Sequence, residues 1–132
     1  MLAVRSMAKY RLSTPAEAQI DEILDWSEQN FGELARERYA ALLVAAMDDV
    51  AGHPRQKTIF RKRLASGEVG IYHIRHSRKH VPDPPGQVGD PRHILIFRIA
   101  KDGIIDILGF IHDNMLLKRA LRRLLNADRE NE

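Results

Sequence analysis

The sequence predicts an α+β domain, a small antiparallel sheet with an N-terminal αα-hairpin and a C-terminal helix in the order β-α-α-β-β-β-α. Three observations predict it. Two amphipathic helical stretches follow one another almost without a break before residue 53. Two apolar strands later flank an Asp-Gly pair, the strongest short hairpin signal. A leucine- and arginine-rich helical stretch closes the chain. At 132 residues there is room for a single domain spanning 1–132. The absence of cysteine excludes a disulfide scaffold, a thiolate zinc site and a cysteine nucleophile.

Lys9 to Leu12 reads as a short strand. The Ser13-Thr14-Pro15-Ala16-Glu17 run starts a helix, with Thr14 expected as N-cap, Pro15 at the first helical position and Glu17 closing a capping box. Ile20, Ile23, Leu24 and Ser27/Phe31 then form one stripe, and Gly32 is expected to end the helix with a left-handed residue. Trp26 is expected to pack against the next helix. That helix carries Ala35, Tyr39, Leu42, Ala46 and Val50 at spacings of three and four, and Gly52-His53-Pro54 terminates it. So short a connection makes the two helices antiparallel neighbours.

Gln56 to Glu68 is polar and basic and has no clear period. Val69 to Arg75 reads as a strand. Residues 77–92 hold four prolines and two glycines and are expected to form a long loop, a mobile hairpin tip with nothing to pack. His93 to Ala100 and Ile104 to His112 are the clearest strands. An Asp102-Gly103 loop sets Ile99 opposite Asp106, Phe97 opposite Leu108, Leu95 opposite Phe110 and His93 opposite His112. The other face then carries Ile94, Ile96, Arg98, Ile105, Ile107, Gly109 and Ile111. Asp113 or Asn114 is expected to cap the last helix, with Leu117, Ala120, Leu121 and Leu124 inward and Lys118, Arg119, Arg122 and Arg123 outward. Residues 1–7 are expected to be unstructured and 127–132 to be a frayed tail, with Met7 as an alternative start to Met1.

Both faces of the ribbon are apolar, so each needs a cover. The helical hairpin covers one. The other is expected to be a partly open groove holding a single cation, Arg98, beside the space left by Gly109. Such a groove suits an amphipathic peptide whose acidic side chain meets Arg98.

The chain carries a net charge of +3, unevenly placed: residues 1–54 are net −4 and residues 55–132 net +7. A basic half implies an acidic partner, either nucleic acid or an acidic protein segment. Arg61, Arg63 and Arg75 lie in this half. No apolar run reaches the ~20 residues that span a bilayer, and residues 1–7 lack the apolar core of a signal peptide, so the expected compartment is the cytoplasm, without membrane association. His73 and His76 fall on opposite faces of a strand, so no metal site and no cofactor is expected. His93 and His112 are either an acid–base pair or two sheet-end histidines, and the second is the expectation.

The chain resembles the ParE branch of the ParE/RelE toxin superfamily. The carrying residues are Tyr10-Arg11-Leu12-Ser13, Ala16-Glu17-Ala18, Ile20-Asp21-Glu22-Ile23, Trp26, Phe31-Gly32, Arg38-Tyr39, Pro54-Arg55, the run from His93 to Arg98, Asp102-Gly103 and the run from Ile107 to Met115. The resemblance implies the toxin of a bacterial type II toxin–antitoxin pair, of the kind encoded by plasmid stabilisation systems. It implies a co-encoded antitoxin whose C-terminal segment, expected here to be acidic and amphipathic, folds on the toxin in a hetero-oligomer. ParE-type members inhibit DNA gyrase. RelE-type members share the fold and cleave mRNA on the ribosome. The family often has an Arg between the last-strand His and the Met, where this chain has Asp113 and Asn114.

Metal-independent RNA cleavage needs a base, cations on the phosphate and an acid. Arg98 with His112 and His93 is the set this chain could offer. A lone cation on an isoleucine floor suits peptide docking better. The expected contact residues are therefore Arg98, Ile94, Ile96, Ile107, Gly109, Ile111, Arg61, Arg63 and Arg75, and the gyrase-directed, non-enzymatic reading is preferred to the ribonuclease.

Overall fold

The computed structural model describes residues 10–115 and 117–130, the last four without their side chains. The expectation for residues 1–7 lies outside the described residues, as do the last two positions of the tail expected to fray, while residues 127–130 continue the last helix. The elements are β1 (Tyr10–Leu12), α1 (Thr14–Phe31), α2 (Glu33–Gly52), β2 (Phe60–Leu64), β3 (Gly67–His73), a 3-10 segment (Ile74–His80), β4 (His93–Ile99), β5 (Ile105–His112) and α3 (Leu117–Glu130). The sheet order is β1-β5-β4-β3-β2. All pairings are antiparallel except β1 with β5, which is parallel, so the sheet is mixed.

Local chemistry sets the start of α1. The cap is Ser13, one residue before the expected Thr14, and its Oγ accepts from the Ala16 amide at 3.1 Å. Glu17 thus falls one position too late to close a capping box. The shift comes from the sheet: the Ser13 amide donates to the Ile107 carbonyl at 3.1 Å and its Oγ donates to Leu108 O at 2.9 Å. Where β1 ends, Gln19 takes over the ladder, its Oε1 accepting from the Phe110 amide at 2.7 Å. Ser13→Ala removes a helix cap and a sheet contact together. It is expected to lower stability by about 1–2 kcal/mol, measured by urea unfolding.

Gly32 joins the two helices at φ +94°, as expected. From α2, Tyr39, Leu42, Leu43, Ala46, Met47 and Val50 point into the first core layer. That layer closes on Leu95, Phe97, Ile105, Ile107 and Phe110 of the sheet. The second layer lies on the opposite face. There Leu117, Ala120, Leu121 and Leu124 of α3 cover Val69, Ile71, Ile96, Leu108 and Ile111. The face expected to be a partly open groove is therefore closed by the chain's own C-terminal helix. Gly109 supplies the seat: a Cβ there would lie 2.6 Å from the Leu124 side chain.

Four local expectations are corrected. The β4–β5 register holds from His93↔His112 to Ile96↔Gly109, then shifts, and Phe97 pairs with Ile107 and Arg98 with Asp106. A bulge at Leu108 turns Ile105 and Ile107 onto the helical-hairpin face, so Ile107 is fully buried there. β2 was not expected, because apolar residues stand only at the ends of Phe60-Arg61-Lys62-Arg63-Leu64 and an edge strand keeps its cations solvated. β3 ends at His73, where the chain tightens into the 3-10 segment.

Finally, the Pro-rich loop is anchored. Ser77 is fully buried and donates to Asp49 Oδ2 at 2.5 Å, and His80 Nδ1 meets the same oxygen at 2.7 Å. Val81 and Val88 pack on the core, and Arg38 Nε donates to Pro85 O at 2.7 Å. Hydrogen bonds to Asp49 and Arg38 of α2 supply the order that Pro and Gly side chains cannot.

Candidate functional site

The Pro-rich loop leaves an open groove against the helical hairpin, about 810 Å³ in volume. Trp26, Phe31 and Leu34 form its apolar wall, and they are 59%, 71% and 49% exposed. Trp26 therefore does not pack against α2 as expected. The smaller Ser27 takes the buried position on that stripe. The indole instead meets Phe31 edge-on, with ring centroids 5.6 Å apart. Val88 and Arg38 line the groove further in, and its floor reaches Tyr39, Arg92, His93 and His112.

The floor is a hydrogen-bond chain. The Arg92 amide donates to Tyr39 Oη at 3.2 Å, and Tyr39 Oη lies 2.5 Å from His93 Nδ1. The tyrosine hydroxyl and the imidazole thus share one short hydrogen bond, whose donor is set by the imidazole tautomer. Burial pushes the Tyr39 hydroxyl up to about 12. It pushes His93 down to about 4, helped by neighbouring His112. Both shifts keep the two groups neutral. The His93 and His112 rings stand 5.3 Å apart edge to face, and His112 Nδ1 accepts from the Asn114 amide at 3.2 Å. These are the paired sheet-end histidines that the register predicts.

Asp113 ties the rim. It accepts from Arg92 Nε at 3.1 Å and pairs with Arg92 Nη2 at 3.0 Å. His73 Nε2 donates to its other oxygen at 3.0 Å, since His73 Nδ1 already accepts from the Arg75 amide. The bond from His73 and the charge of Arg92 hold the Asp113 carboxyl below the usual range. Asp113 is thus a partner for Arg92 and His73 and not the cap expected for α3. Among the described residues no three His, Asp or Glu side chains converge as metal ligands would.

The expected site residues are dispersed. His93 and His112 meet at one end of the sheet, while Arg98 sits near the other end of β4, opposite Asp106. Its Nη2 donates to Ser66 Oγ at 3.2 Å and its Nε is buried without a hydrogen-bond partner among the described residues. Ile96, Gly109 and Ile111 are buried and Ile94 is partly buried, all on the α3 face. Ile107 lies on the opposite layer. Arg61 and Arg63 are exposed on β2, and Arg75 is exposed in the 3-10 segment. Trp26, Phe31 and Leu34 were missed as surface residues. The available signal was an apolar stripe on α1 wider than one partner helix can cover.

No helix among the described residues is long and apolar enough to cross a membrane. No curated protein matches the chain significantly. Residues 10–117 match the family described as the ParE toxin of the type II toxin–antitoxin system parDE. That span takes in both helices of the hairpin, the entire sheet and the groove floor. The chain belongs to the ParE toxin family of type II toxin–antitoxin systems.

Proposed function

We propose that this family member is a cytoplasmic, non-catalytic inhibitor of DNA gyrase, held inactive in a hetero-oligomer with a co-encoded antitoxin. The observation that carries the reading is the dispersal of the polar groups RNA cleavage would need. Arg98 and His93 are five residues apart on β4, which at ~3.3 Å per residue separates them by ~17 Å. One phosphate cannot touch both. The imidazole of His93 is moreover occupied by Tyr39.

The groove supports a docking role. Exposed aromatic and aliphatic side chains are gathered along one wall, which suits an amphipathic partner segment. Arg38 lies among them with a carbonyl as its hydrogen-bond partner, so an acidic side chain of the antitoxin can still take up its charge. The groove replaces the α3-covered face as the docking surface in this reading. One observation favours the ribonuclease alternative: two imidazoles 5.3 Å apart stand beside Arg92 at the groove floor.

The test is induced expression with and without the antitoxin, read for plasmid topology and transcript integrity, with a purified gyrase supercoiling assay. The expected result is growth arrest, lost supercoiling activity and intact transcripts, all reversed by the antitoxin. Trp26→Ala with Phe31→Ala is expected to weaken antitoxin binding at least tenfold. Cleaved transcripts that become intact in His93→Ala or His112→Ala, with gyrase unaffected, would overturn the inhibitor reading for the ribonuclease.

A further inference from the structure

The sheet divides the molecule's charge. On the first-layer side, α1 and α2 together hold nine Asp and Glu against two Arg. Glu17, Asp21, Glu22, Glu33 and Glu37 stand exposed there. On the second-layer side the sign reverses. Between Leu117 and Asn126, α3 carries Lys118, Arg119, Arg122 and Arg123 and no acid. Ala120, Leu121 and Leu124 face the core, so the helical period turns all four cations outward, and all four are exposed. Lys62 points to the same side, because it stands opposite Val69 of the second layer. Arg98 does too, because its neighbours Phe97 and Ile99 belong to the first layer. None of these six cations forms an ion pair among the described residues. Lys118 with Arg122, and Arg119 with Arg123, are like charges four residues apart, a spacing that destabilises a helix until an anion neutralises it.

From this we infer that the outer face of α3 binds the phosphate backbone of duplex DNA, independently of base sequence. From Lys118 to Arg123 the stripe runs ~8 Å at 1.5 Å per residue. Duplex DNA carries one phosphate charge per ~1.7 Å of its axis, so roughly four to five lie along that length, opposite four cations. An acidic protein is the other polyanion, but the buried centre of a protein–protein interface is enriched in apolar groups. The outward stripe of α3 has no apolar side chain, since its remaining exposed residue is Asn126. Phosphates need only charge and hydrogen-bond donors, which the arginine forks supply. The acidic hairpin then faces away from the DNA and leaves its groove free. The inference is independent of the gyrase reading, because the supercoiling assay and DNA binding by the chain alone are separate measurements.

Fluorescence anisotropy of a labelled 20-base-pair duplex with the full chain, without antitoxin, tests this between about 50 and 200 mM salt. The logarithm of the association constant is expected to fall linearly with the logarithm of salt, with a slope of about −3.6, or −0.9 for each of four phosphates. Arg119→Gln with Arg122→Gln is expected to weaken binding at least tenfold and to bring the slope to about −1.8. Arg119→Lys with Arg122→Lys retains both. Arg61→Gln with Arg63→Gln leaves both unchanged, because Arg61 stands opposite Gly70, which faces Phe97 of the first layer, and Arg63 shares its side. An equal loss in that pair overturns the α3 assignment in favour of net charge alone. Absence of binding at the lowest salt, or a slope that the α3 pair leaves unchanged, overturns the inference outright. A 20-residue polyglutamate peptide that binds as tightly as the duplex overturns it in favour of an acidic protein segment.

Discussion

Gly70→Ala is expected to destabilise the fold by about 3 kcal/mol in urea unfolding, with little change in m-value. Gly70 lies in β3 opposite Phe97 of β4. A Cβ built on it would stand 2.3 Å from Phe97 Cζ and 2.4 Å from Cε1, closer than any real contact. The Phe97 ring is 1% exposed and packed among Tyr39, Leu95 and Ile107 in the first core layer, so it cannot swing aside. The backbone at Gly70 is not in the left-handed region. The cost is therefore steric, and a steric cost has a specific signature. Phe97→Leu alone loses roughly 1 kcal/mol of packing. Combined with Gly70→Ala it should cost at least 1 kcal/mol less than the two single losses added together, because the shorter side chain vacates the space the methyl needs. Strict additivity, or a Gly70→Ala chain as stable as the parent, would refute this account of the β3–β4 contact.

The second large effect is in the pH dependence of stability. In the folded chain His93 is pushed down to about 4, first by burial and then by the nearby His112. Unfolded, it titrates near the ordinary value of about 6.5. Between those values the unfolded state binds the extra proton, so stability rises with pH across the window and falls as pH drops through it. The loss begins near 6.5 and is complete near 4, and it amounts to roughly 3 kcal/mol at about 1.4 kcal/mol per pH unit. The Asp113 carboxyl, which is depressed, adds its own loss only below its ordinary range, at more acid pH. Denaturant unfolding from pH 7.5 to 4 should show the slope, and His93→Gln should flatten it. A parent chain with constant stability across that window would contradict the neutral, buried imidazole.

The groove is the partner surface in the proposed reading, and its legibility in the sequence was uneven. The pairing of His93 with His112 follows from counting outward from a two-residue Asp102-Gly103 loop, although the turn closes one residue wider, with the Ala100 amide donating to Ile104 O at 2.9 Å. Oddly, the register is correct at the far end and off by one near the loop. The Leu108 bulge explains this: both neighbouring layers are apolar, so no alternation of polar residues marks where the extra residue sits. The consequence for function is direct. The bulge moves Ile107 away from the face on which it was expected and puts Leu108 there to meet α3.

What the chain's residues determined alone were the helical hairpin with its Gly32 joint, the β4–β5 pair, the amphipathic last helix and the family. These rest on near-neighbour chemistry: a cap, a turn, a 3.6-residue stripe. Tertiary structure alone decided where apolar surface stays open. The sequence shows that both faces of the ribbon need cover. It does not show that α3 reaches back over Gly109 and seals one of them, while Ser27 displaces Trp26 outward and opens a groove elsewhere. Burial depends on the competition among all elements for the same surface, and that competition is settled by distances between residues far apart in the chain.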